Sequence, residues 1–384
     1  MSGLPVLGWD VGGANIKVAR VLPPEGGSHI DGGGSHIKVV ERPFALWREP
    51  KRLPEVLAEA ADAIGRSDLM AVTMTAELAD CFATKREGVD AVLDAFGAAF
   101  PGVRPWIYGV DGRFRSAEAA REVPLRVAAA NWMASASLVA KTVSDAVFID
   151  VGSTTTDIIP IAGGRVVARG RTDPARLRSG ELVYTGALRT SACAIARAVP
   201  LRGRRCRVAA EHFAITADVH LWLGHIDESD YTCDTPDSRG RTRTEAAARL
   251  ARMVCGDLEM LDERDVTAIA EHFSRAQVKQ IASGLRQVMR RRGPSCPRTA
   301  VLAGQGTFLA RRAAQQVGLD AVDLSATFGP AAGRSAPSAA VACLLQEWRR
   351  REGVEPSGDL TAPRLVLKTS GATGRLPSPD VCGA

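Results

Sequence analysis

Residues 8–17, GWDVGGANIK, form an apolar run that ends in an aspartate, turns on two glycines and resumes as an alternating run. Residues 148–161, FIDVGSTTTDIIPI, repeat that plan 140 positions further on, with Gly152 and a run of hydroxyls in the turn. An apolar stretch, a glycine turn and a second apolar stretch read as strand, tight turn, strand. The repeat lies in the supersecondary pattern and not in the letters, and it predicts two like-folded lobes.

Working outward from the first hairpin, a third strand is expected over 37–43. A helix over 53–64 follows from Leu53, Val56, Leu57, Ala60 and Ile64 at helical spacing, then a short strand over 69–73. Helices over 89–100 and 127–141, with a strand over 106–110 between them, close the first unit. The glycine-rich stretch between the second and third strands carries His29 and His36; it reads as an extended hairpin loop before a metal site. The second unit starts again with the strand ending at Asp150, a second strand, a Gly163-Gly164 turn and a third strand. Residues 174–293 then read as mostly helical, broken by the polar segment DESDYTCDTPDSRGRTR (227–243), whose role, a lid among the readings, stays open. A strand over 299–303, a helix, a short strand over 321–323 and a helix over 338–348 follow. The pattern predicts an α/β protein of two lobes, mixed sheets flanked by helices. The expected boundaries are 1–143, 144–350 with a helical insertion over about 174–293, and a loosely ordered, Pro- and Gly-rich tail over 351–384.

At 384 residues the chain exceeds the length at which one core usually divides. Its 46% apolar and 24% charged residues are those of an ordinary globular protein. No run approaches 18 apolar residues, and the N-terminus enters a strand without a basic leader, so a cytoplasmic protein without a membrane partner is expected. Eight cysteines without a CxxC pair argue against a zinc or redox motif. The net charge of +6 gathers in arginine runs at 202–207 and 290–292 without interleaved aromatics, which disfavours nucleic acid and suits a phosphorylated small molecule. A homo-oligomer is left open.

In the first hairpin, Gly12 and Gly13 permit a turn whose amides face an anion. Asp10, at the strand end, suits a hydrated divalent cation, and Asn15 and Lys17 add a donor and a charge. In the second, Gly152, Ser153, Thr154 and Thr155 offer turn amides and hydroxyls to phosphate oxygens; Asp150 or Asp157 is placed to bind metal or orient a nucleophile. Thr155 and Thr156 also read as plain strand residues. A third element, VLAGQGTFLA (301–310), brings Gly304, Gln305 and Gly306 between a strand and a helix, where a nucleotide or phosphate can approach closely. After the strand ending near Thr73, Lys85 or Arg86 is a candidate for a phosphate and Glu77 or Asp80 for an amine. Asn131, a polar residue in an alanine-rich helix, is either a substrate contact or a packed core amide. His212, Asp218 and His220 read as structural before metal-binding.

The two hairpins and the 301–310 element resemble, in that order, the phosphate-one, phosphate-two and adenosine segments of the actin, hexokinase and heat-shock-protein superfamily, over about residues 5–348. GWDVGGANIK, TMTAELADCFATKREGV (73–89), ANWMASA (130–136) and FIDVGSTTTDIIPI are similar, more narrowly, to hydantoinase/oxoprolinase-related proteins of tetrahydromethanopterin-linked one-carbon pathways. This resemblance implies a duplicated ribonuclease H-like fold. It also implies a transferase of methanofuran biosynthesis, which condenses an aminomethyl-furan-methyl diphosphate with tyramine or γ-glutamyltyramine, forming an ether and releasing diphosphate. Mg²⁺ held by Asp10 and Asp150 is the implied cofactor. Glu181, in the polar turn RSGELVYTGALRT (178–190), is a candidate base toward the phenol, or else part of a helix entrance. The alternative on the same scaffold is an ATP-dependent kinase or hydantoinase/oxoprolinase-like hydrolase.

Overall fold

Alternation along the first strand decides how the molecule is layered. In β1 (Val6–Val11), Leu7, Trp9 and Val11 enter one core while Val6 enters another, so Asp10 shares the face of Val6. Its hairpin partner β2 (Asn15–Val21) pairs antiparallel with Asp10 opposite Lys17, and β3 (Ile37–Pro43) extends the sheet. After α1 (Leu53–Ile64), β4 (Met70–Met74) returns parallel to β1. Helix α2 (Lys85–Ala99) leads to β5 (Trp106–Tyr108) and the short β6 (Phe114–Arg115), giving the strand order β3-β2-β1-β4-β5-β6. Two short helices, α3 (Ala117–Glu122) and α4 (Pro124–Val127), precede α5 (Asn131–Val139).

The second sheet repeats the plan. In β7 (Ala146–Val151), Val147, Ile149 and Val151 face outward and Ala146 and Phe148 inward, which puts Asp150 on the inward face. Strand β8 (Thr156–Ala162) pairs with it in the same register, Asp150 opposite Asp157, and β9 (Arg165–Val166) follows. Between α6 (Asp173–Ser179) and the second half of the lobe come β10 (Leu182–Val183), α7 (Ala192–Ile195) and the hairpin β11 (Ala198–Leu201) and β12 (Arg204–Arg207). Helices α8 (Thr216–Trp222), α9 (Arg243–Arg252) and the long α10 (Glu263–Arg290) complete the inserted segment. Strand β13 (Thr299–Ala303), α11 (Thr307–Val317) and β14 (Asp320–Asp323) close the sheet as β10-β8-β7-β13-β14, with β13 parallel to β7. Helices α12 (Ser325–Arg334) and α13 (Ala336–Glu352) end the part of the chain seen here. This computed structural model describes residues 4–22, 37–293 and 296–352; the segment with His29 and His36 and the expected tail lie outside them, except residues 351 and 352 in α13.

The outer face of the first sheet is covered by α1 and α2 and that of the second by α10 and α11. Between the inner faces lie α5 and α13, packed on one another: α5 lies against β7, β8 and β9, and α13 crosses back onto β1, β2 and β4. Gly8 is what allows that crossing, because a Cβ there would run into the Ser338 carbonyl and the Ala342 side chain. This is a duplicated ribonuclease H-like fold, as expected.

The hairpin β11–β12 lies in the stretch read as mostly helical, and three further differences have a clear local cause. Helix α2 begins at Lys85 instead of 89 because Thr84 caps it, accepting from the Glu87 amide while Glu87 accepts from the Ala83 amide. The helix expected over 127–141 is broken at residues 128–130, where Ala129 adopts a left-handed φ of 47°. The third strand of the second unit shrinks to two residues. The Glu181 carboxylate takes the Arg169 and Gly170 amides, both at 2.7 Å, and draws the chain away from β8, whose edge β10 then occupies.

Candidate active site

The two inward aspartates overlook one cleft of 740 Å³ between the lobes. Each hairpin turn closes in the same way, the Gly12 amide donating to Asn15 O and the Gly152 amide to Thr155 O, both at 2.9 Å. Each turn is also anchored from behind. Phe44 and Leu46 amides donate to Ala14 and Gly13 carbonyls, and Ala187 and Leu188 amides to Gly152 and Ser153 carbonyls. With their carbonyls so engaged, both turns are held as rigid amide-bearing loops on the cleft wall.

The carboxylates there are crowded and short of cations. Burial pushes Asp10 up to about 6, against the pull of Lys17, and its Oδ1 has no partner. Burial and then neighbouring Asp157 push Asp150 up to about 7. Asp157 is itself raised by burial, although Arg176 donates to it at 2.5 Å; the Arg176 guanidinium also stacks on Trp132, 4.4 Å from the ring centre. Gly304 closes this corner with φ at +87°: a side chain there would strike the Val151 carbonyl and Asp150 Oδ1.

A second charged group spans the lobes. Lys85, at the start of α2, donates to Glu77 Oε1 at 3.1 Å and to Asp173 Oδ2 at 2.6 Å, tying the first lobe to the start of α6. Glu77 is 1% exposed, burial raises its carboxyl, and its Oε2 has no partner. Gly88 of α2 packs directly on the Glu77 backbone and fixes its position.

The cleft gathers most of the residues singled out from the sequence: Asp10, Gly12, Gly13, Asn15, Lys17, Glu77, Asp80, Lys85, Asn131, Asp150, Gly152, Ser153, Thr154, Thr155 and Gly304. Asn131 reaches it from the first turn of α5, beside the Ala129 bend. Gly306 and Glu181 are not on its wall. The Gly306 amide donates to Val151 O at the head of α11, and Glu181 is buried with both carboxylate oxygens on backbone amides, a structural clamp and not a free base. Arg86 turns away to the Arg121 carbonyl. Sequence reasoning missed Trp47, Asp173, Arg176, Arg189 and Arg334, all on the wall; the Asp-Pro start of α6 at 173–174 was the available signal for Asp173. His220 bonds Gln277 and His225, and Asp218 bonds Arg249 and Tyr231, so these two are structural, while His212 lies apart from them on the wall of a neighbouring groove. Tyr231 and Asp230, the latter paired with Arg334, pin the polar segment to the second lobe.

No set of three or more His, Cys, Asp or Glu side chains is gathered around a metal position among the described residues. The chemistry still fits Mg²⁺, which is commonly held by one or two carboxylates together with substrate phosphates. The unpartnered Asp10 Oδ1 and the raised Asp10 and Asp150 carboxyls supply that pair. Among the described residues, no helix is long and apolar enough to cross a membrane.

Paired hairpins on duplicated sheets, facing a common cleft, define the actin-like ATPase class of fold. Nucleotide-free acetone carboxylase, from work on ATP-dependent acetone carboxylation, shares it with a TM-score of 0.51 at 11% identity, over 86% of this chain and 70% of that one. The profile of the Hydantoinase/oxoprolinase family matches residues 68–348, and the chain belongs to that family. It is 35% identical, over 89% of its length and 98% of the relative's, to the (4-{4-[2-(γ-L-glutamylamino)ethyl]phenoxymethyl}furan-2-yl)methanamine synthase of Methanocaldococcus jannaschii. A synthase of the same name from Methanococcus vannielii is 30% identical over 52% of this chain and 90% of that one.

Proposed function

We propose that the protein is the corresponding transferase of methanofuran biosynthesis. It joins an aminomethyl-furan-methyl diphosphate to the phenol of tyramine or γ-glutamyltyramine. The observation that carries this reading is the likeness, along nearly the whole chain, to a synthase named for that phenoxymethyl-furan ether. The cleft supports it.

The reaction breaks the bond between the furan methylene carbon and the diphosphate oxygen, and the electron pair leaves with diphosphate. The phenolic oxygen forms the new carbon–oxygen bond, and its proton passes to the released diphosphate. The furan stabilises positive charge at the methylene carbon, so the protein's task is to bind, orient and help the leaving group depart. The Gly12–Gly13 and Gly152–Thr155 loops and Lys17 receive the diphosphate. Asp10 and Asp150 would hold Mg²⁺, which when bound would neutralise charge on the leaving group. Glu77, with one carboxylate oxygen unpartnered in the cleft wall, receives the aminomethyl ammonium, with Asp80 near it on the same wall. Asn131, on the cleft wall at the start of α5, contacts the substrate in this reading. Solution in the cytoplasm suits such a small-molecule enzyme.

A second reading, ATP-dependent chemistry, is favoured by one observation: a further cavity of 380 Å³ lies behind Gly304 and Gln305, lined by Phe308, Ile226 and Ser325. Purified protein with the furan diphosphate, γ-glutamyltyramine and Mg²⁺, without nucleotide, should yield the ether by mass together with diphosphate. No ether, alongside turnover of ATP, would reverse the order of the two readings.

A further inference from the structure

A groove of 790 Å³ opens off the cleft on the side of the first hairpin. Ala14, Asn15, Trp47, Ser153 and Arg189 line both spaces, so groove and cleft meet at the two loops. One wall is aromatic: Phe44 and Trp47, the latter with the Arg189 guanidinium over its ring at 5.0 Å. The other wall is the polar segment of the inserted region, from Thr232 to Arg241.

The charge of the groove is lopsided. Four arginines line it, Arg48, Arg189, Arg239 and Arg241, against one acid, Asp234, which pairs with Arg48 at 2.9 Å where both side chains are solvent-exposed. Arg241 lies over the Tyr231 ring at 6.0 Å. Tyr231 is fully buried and donates to Asp218, so this wall has a fixed base. The cleft differs in balance: its wall carries Asp10, Glu77, Asp80, Asp150, Asp157 and Asp173 against Lys17, Lys85, Arg176, Arg189 and Arg334, where the groove is strongly basic. Of two substrates, the one bearing a carboxylate belongs in the groove, where arginines outnumber acids four to one. The cavity behind Gly304 is a poorer match for a carboxylate, since its Arg334 is engaged with Asp230 at 2.6 Å.

We infer that this groove is the acceptor site, taking a phenol with a zwitterionic γ-glutamyl tail. The ring lies along Trp47 with its oxygen toward the loops; the tail's α-carboxylate meets Arg239 and Arg241, and its ammonium meets Asp234. The assignment rests on the proposed condensation and names the specificity residues for its second substrate. A guanidinium–carboxylate contact discriminates strongly between acceptors that carry the group and those that lack it. Selectivity for γ-glutamyltyramine over tyramine therefore resides in residues 232–241, none of which lines the cleft.

The test compares the two acceptors in wild type, Arg239→Gln, Arg241→Gln and the double variant, with Arg334→Gln as a control. In the double variant KM for γ-glutamyltyramine should rise about tenfold or more, while KM for tyramine, KM for the furan diphosphate and kcat stay near wild type. Equal changes for both acceptors, no change, or a selectivity change confined to Arg334→Gln would overturn the assignment. If wild type makes no ether from either acceptor, the condensation reading fails. The groove is then judged by calorimetric binding of γ-glutamyltyramine alone: weaker binding in the double variant supports the site, and unaltered binding or none in wild type sinks it.

Discussion

At the scale of single residues, Asp10 and Asp150 are held in a costly state. Both sit on inward strand faces where burial raises their carboxyls, to about 6 and about 7. A carboxyl whose folded value exceeds its unfolded one makes the folded state bind more protons, so its presence destabilises the fold as pH rises through roughly 4 to 7. Asp150→Asn should therefore raise metal-free stability at pH 8 by on the order of 1–3 kcal/mol and leave it nearly unchanged at pH 4. Denaturant titrations at the two pH values read this directly. The same variant should lose about a hundredfold or more in kcat, the usual exchange of stability for function. Glu181→Gln should behave oppositely. It weakens the clamp on Arg169 and Gly170 and lowers stability by about 1–3 kcal/mol, with activity falling far less than in Asp150→Asn. Asp10 and Asp150 were legible in the sequence because an aspartate before a glycine turn ends an apolar strand. Glu181 was not: its role depends on two amides 11 and 12 residues away, which only the folded turn brings back.

At the scale of elements, the ion bridge at the head of α2 ties the lobes together across the cleft. Lys85→Met would leave Glu77, 1% exposed, without its cation. The expected cost is on the order of 2–4 kcal/mol, together with a weakened tie to Asp173, measured as a lower unfolding midpoint. Glu77→Gln in that background should recover part of the loss. The true start of α2 was hidden from periodicity because its first turn, Lys85-Arg86-Glu87, is wholly polar; Thr84 with Glu87 was the signal that marked it. The return of α13 to the first sheet was hidden too. Its apolar residues announce a buried helix but not which sheet buries it, and Gly8 on β1 acquires meaning only once that helix is in place. Gly8→Val should disturb the α13 contact and cost at least about 2 kcal/mol, since the obstacle includes backbone.

For the whole molecule, the duplicated hairpins were the strongest sequence signal, and they specify both the fold and the cleft. Asp10 opposite Lys17 and Asp150 opposite Asp157 occupy equivalent registers, so one lobe brings a cation where the other brings an anion. That asymmetry suits a site receiving a diphosphate and its metal together. Trp47 and Arg189 escaped the sequence reading, and the 227–243 segment was marked there without a role, because they lie in irregular chain, where no period marks a buried or a facing side.

In the proposed condensation the cleft transfers carbon and not phosphorus. Phenol-labelled ¹⁸O-γ-glutamyltyramine, incubated with the furan diphosphate and Mg²⁺ without nucleotide, tests it most directly by mass spectrometry. Carbon transfer leaves the label in the furan ether and the released diphosphate unlabelled. Label bound to phosphorus, as an aryl phosphate, would mean attack at phosphorus and would contradict it.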